Sequence, residues 1–96
     1  MAKPSAKEQQ ATIKGQTWTI RFETHHTMPR DRWGEFNETK QVIRVRRDLS
    51  DTNFLDTLIH EITHILRPHE DEYYVDKMST ELAKALMSTG MVTIQK

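Results

Sequence analysis

The chain has 96 residues, 14 basic and 14 acidic side chains, a formal net charge of zero and no cysteine. A chain of this length holds one domain with a modest core. Charge balance argues against a sequence-independent grip on nucleic acid or on an anionic membrane. The missing cysteines exclude disulfides and thiolate metal sites and suit a reducing, cytoplasmic setting, and no apolar stretch is long enough to span a bilayer.

Residues 1–14 are polar and lack the apolar run of a signal peptide, so they are expected to form a flexible tail preceding a single domain over 15–96. Thr17 to Phe22 alternates polar and apolar, which predicts a half-buried strand with Trp18, Ile20 and Phe22 inward. A loop through Pro29 follows. Trp33–Phe36 and Gln41–Arg46 predict a hairpin, with Trp33 in the core and Gln41–Arg46 as an edge strand open to an extended peptide. Asp48 to Asp51 supplies N-cap candidates for a helix with an apolar stripe of Leu55, Leu58, Ile59, Ile62, Ile65 and Leu66, halted by Pro68. A second helix starts near Glu70 or Asp71, with a stripe of Val75, Met78, Leu82, Ala85 and Leu86, and stops at Gly90. Met91–Ile94 predicts a short final strand. The expected fold is α+β, with a small antiparallel sheet packed against two helices.

The first helix carries His60-Glu61-Ile62-Thr63-His64. Residues four apart share a helix face, so both imidazoles can address one metal ion, and Glu61 sits beside it as a general base. Catalytic zinc takes a third protein ligand and keeps one position open. The candidates after Pro68 are His69, Glu70, Asp71, Glu72, Asp76 and Glu81. Glu72 leads, because it lies three residues before Val75, at the edge of the second helix's predicted buried stripe. Asp56, one turn before His60, is a candidate to orient its imidazole. Tyr73 and Tyr74 are candidates to stabilise an oxyanion, and the His25–His26 pair reads as solvated loop.

The stretch Leu58 to Leu66 resembles the active helix of the minimal zincins, the H-E-x-x-H metallopeptidases. The layout from Trp33 to Leu86, a hairpin, the motif helix, an acidic turn and a second helix, is similar to small phage- and bacterium-encoded metallopeptidases. The resemblance implies one zinc ion per chain, His60 and His64 as ligands and Glu61 as base. It also implies an acid of the second helix as third ligand, a place that Asp71 to Val75 occupies and that Glu72 fills best. The larger members carry a C-terminal substrate domain that this chain lacks, so the expected partner is one specific protein or peptide substrate, with neither nucleic acid nor membrane involved. The rival expectations are a hydrolase of non-peptide substrates, an interaction protein with structural zinc, and a metal-free binding module.

Overall fold

The computed structural model describes residues 7–29 and 31–96. Four strands, β1 (Glu8–Ile13), β2 (Gln16–Glu23), β3 (Gly34–Asn37) and β4 (Val42–Arg46), precede two helices, α1 (Asp51–Leu66) and α2 (Glu72–Ser88). The class is α+β, as expected, but the sheet is mixed. Its order is β1-β2-β4-β3, with β2 and β4 parallel and both hairpins antiparallel.

Several expectations change at this level. Of the expected tail, residues 8–13 form the edge strand β1, and residues 1–6 lie outside the described residues. The β1–β2 turn explains why: Lys14 and Gly15 have φ of 52° and 74°, the pair of positive values that a two-residue hairpin turn requires. Polar β1 is an outer strand with one buried apolar contact at Ile13, which is why its composition resembles a tail. β4 is central, and the edge beside the helices is β3. β4 carries the β-branched pair Ile43 and Val45, both fully buried, whereas four-residue β3 is only half-buried.

Trp18, Ile20, Phe22, Ile43 and Val45 project from one face of the sheet and join Leu49 and Phe54 in the core. Phe22 stacks on Phe54 at 5.1 Å between ring centres, and Leu58, Ile62 and Ile65 extend the contact along α1. Burying each such side chain contributes about 1.5–3 kcal/mol. The opposite face is charged. Arg21 and Arg44 stand side by side in the parallel register, and their repulsion is relieved by Glu23, at 3.7 and 3.0 Å, and by Glu35, 2.8 Å from Arg44. Burial raises the Glu23 carboxyl pKa, but the Thr27 hydroxyl, Arg44 and Arg21 more than offset it and hold the group below its ordinary value.

α1 is capped by the Ser50 hydroxyl, which accepts from the Asn53 amide at 3.2 Å. Asp71 caps α2 in the same way, accepting from the Tyr74 amide at 3.2 Å. α2 packs on α1 rather than on the sheet. Its buried face is Val75, Ser79 and Ala83, a narrow line of small residues four apart, and Leu82 and Leu86 of the expected stripe stay more than a third exposed. The cause is layering. A helix in the outermost layer touches one neighbour, so only a thin strip is covered, and small side chains let the two backbones come close. The segment Met91–Ile94 is not a strand; Ile94 packs on the core directly, and Lys96 hydrogen-bonds the Leu49 carbonyl. Among the described residues no helix is long and apolar enough to cross a membrane.

Candidate metal centre

The close approach of α2 to α1 creates a polar ladder. Asp56, His60 and His64 are spaced four apart on α1, and they meet Thr80, Asp76 and Glu72, spaced four apart on antiparallel α2. The Thr80 hydroxyl donates to Asp56 Oδ2 at 2.8 Å. His60 Nδ1 lies 2.9 Å from Asp76 Oδ1. His60 Nε2 lies 3.0 Å from Glu72 Oε1, and His64 Nε2 lies 2.8 Å from Glu72 Oε2.

The two Nε2 atoms are 3.1 Å apart. Among the described residues, His60, His64 and Glu72 form a group whose donor atoms all lie within 4.8 Å of one another. With metal–ligand distances of about 2.1 Å, a tetrahedral zinc site has edges of about 3.4 Å. The observed separations of 2.8–3.1 Å therefore need to open by only a few tenths of an ångström. The donor set also fits. The Asp76 carboxylate engages Nδ1 of His60, a bond that fixes the Nδ1–H tautomer and turns the Nε2 lone pair inward. Glu72 is the first residue of α2, where the helix N-terminus favours an acid and the backbone holds it beside α1.

The rival third ligands are engaged elsewhere. Glu70 pairs with Arg67 at 3.1 Å, Asp71 caps α2, Asp76 holds the far side of His60, and exposed His69 lies with Leu66, Arg67, Pro68 and Glu70 away from the group. Asp56 was the expected partner of the His60 ring. Its carboxylate goes to Thr80, and Asp76 takes that role because it faces the ring across the helix pair. Tyr73 and Tyr74 are exposed and do not line the cleft beside His60 and Glu72.

Glu61 is 9% exposed and packs under β3 rather than joining the three donor atoms. Burial raises its carboxyl pKa, against the pull of His60 and His64, and Glu72 and Glu35 add to the rise. A carboxylate so placed is a better proton acceptor than an exposed one. The cleft, about 510 Å³, runs from Asp31–Gly34 on one wall to Asp56, Thr57, His60 and Glu61 on the floor and Glu72, Asp76 and Thr80 on the other wall. Trp33 was expected in the core. It precedes β3, sits on the rim of this cleft and is 47% exposed.

Comparison with protein-family models, curated proteins and solved structures finds no match. Sequence reasoning missed Asp76 as partner of His60, Trp33 as a cleft residue and Gly34 as the point of closest approach between β3 and α1. The signal for Asp76 was present as its spacing of four from Glu72.

Proposed function

We propose that the chain is a zinc-dependent hydrolase that cleaves a peptide bond in a specific protein or peptide. The observation that carries this is the convergence of His60 Nε2, His64 Nε2 and the Glu72 carboxylate on one point, with buried Glu61 beside them in an open cleft. Three protein ligands next to open space is the pattern of a catalytic rather than a structural zinc site. When bound, the ion supplies Lewis acidity and a water of lowered pKa. Glu61 takes the proton of the attacking water and delivers it to the leaving amine. Asp76 keeps the His60 ring in one orientation and one tautomer. The edge strand β3, beside the cleft, offers unpaired backbone groups to an extended chain, which favours a peptide over a compact small molecule. The absence of cysteine suits a reducing cytoplasm.

Glu61→Gln tests the proposal. It keeps shape and removes the base, so the variant should hold zinc and fold while peptide cleavage falls about 10²–10⁴-fold. Wild type and variant are compared on a peptide library by mass spectrometry. Equal turnover by the two removes Glu61 from the mechanism.

A further inference from the structure

The cleft carries more charge than the ligand group uses. Five carboxylates line it, Asp31, Asp56, Glu61, Glu72 and Asp76, against one guanidinium, Arg32. Arg32 is itself faced by Glu35 at 3.8 Å. A divalent ion at the His60–His64–Glu72 group would still leave the lining with an excess of negative charge. The whole chain is neutral, so this excess is local to the cleft.

Two of these acids have capacity to spare. Asp56 accepts from Thr80 through Oδ2, which leaves Oδ1 for a ligand. Asp31 makes no ion pair with a described residue. The burial of one of these acids points the same way. Glu61, nine-tenths buried, faces the cavity and has no hydrogen-bond donor among the described residues. A buried carboxylate in that state calls for a cation or a donor from something the cleft takes in. On the rim, half-exposed Trp33 presents an indole to the same space, and an indole face attracts a cation.

We infer that the cleft selects its peptide substrate by a Lys or Arg side chain, held by the Asp31 and Asp56 carboxylates and the Trp33 ring. This rests on the peptidase proposal and adds the substrate class to it. An acidic side chain would meet like charge on three sides, and an aliphatic one would leave the carboxylates desolvated without a partner. At about 510 Å³ the cleft has room for one long side chain and its flanking backbone.

The test titrates zinc-loaded wild-type protein at low salt with acetyl-Ala-X-Ala-amide, where X is Arg, Gln or Glu, and follows amide chemical shifts. One exposed and one half-buried ion pair with one cation–π contact should make the Arg peptide bind about tenfold tighter than the Gln peptide, with Glu weakest. The preference should shrink as salt rises. Asp31→Asn should reduce it about threefold, and Asp31→Asn with Asp56→Asn should bring it close to unity. Asp31 is exposed, so the single variant keeps the test valid even if losing the Asp56–Thr80 bond weakens the fold. Equal affinity for the Arg and Gln peptides, or binding of neither up to about 10 mM, overturns the inference. Cleavage of each peptide is read in parallel by mass spectrometry. Charge preference without cleavage sustains the cleft assignment and counts against the peptidase proposal, whereas cleavage without charge preference does the reverse.

Discussion

Gly34→Ala sets two effects of opposite sign against each other at the point where sheet and motif helix meet. Gly34 does not have a positive φ, so alanine is allowed by the backbone, and lower entropy of the unfolded chain would stabilise the protein by about 0.4–1 kcal/mol. In the folded state, however, the new Cβ would lie 2.5 Å from Thr57 Cγ2 and 3.1 Å from the Arg44 carbonyl. Thr57 cannot turn away freely, because its hydroxyl donates to the Asn53 carbonyl at 2.8 Å. Either β3 or α1 must therefore move by about an ångström, and such overpacking costs about 1–3 kcal/mol. The clash should win, giving a net loss of about 1–2 kcal/mol, which thermal unfolding would read as a Tm lowered by about 4–15 °C in a domain of this size. Glu61 Cγ lies 3.6 Å from the same Cβ position, so the displacement should also disturb the proposed base. The decisive measurement is a double-mutant cycle with Thr57→Ser, which removes only the clashing methyl. In that background Gly34→Ala should become nearly neutral. A Gly34→Ala variant as stable as wild type, or a loss that Thr57→Ser does not relieve, would refute the proposed contact.

Zinc measured by elemental analysis should be about one per chain and should be lost when His60 and His64 are both changed to Ala; chelation of wild type should lower its Tm, since binding to the folded state alone stabilises it. Asp76→Asn should weaken zinc binding about 10–100-fold in a competition titration with a chromogenic chelator, while Asp56→Asn should not, because Asp76 holds Nδ1 of the His60 ring and Asp56 is bonded to Thr80 instead. Acid unfolding should show the Glu23 contribution. The folded-state pKa is lowered from 4.5, so the stabilisation is complete above that value and is lost as pH falls through the folded value beneath it. Glu23→Gln should remove that part of the acid slope and lower neutral-pH stability by about 1–3 kcal/mol, as measured by urea unfolding.

The sequence by itself determined the motif helix and half of the candidate site. α1, its motif and its stop before Pro68 are written in a 3.6-residue apolar period, capping at Ser50 and a proline, all of which act within a few residues. The i,i+4 spacing of His60 and His64 is likewise a property of one helix and would hold in any fold that keeps that helix. Glu72 was singled out among several acids by position alone.

Tertiary structure decided the rest, because it depends on contacts distant in the chain. The insertion of β4 between β2 and β3, and the parallel pairing that follows, cannot be read from strands whose alternation is the same in either direction. Thr17–Phe22 and Gln41–Arg46 look alike as strings, and only the fold lays them side by side as the two central strands. Trp33 and Leu82 are apolar by composition, but the layer in which each lies left them partly in solvent. The acids after Pro68 were chemically equivalent in the sequence. They became a candidate ligand, a cap, an ion-pair partner and a brace for His60 only when the line Val75, Ser79 and Ala83 brought α2 close enough to α1 for carboxylates to reach imidazoles.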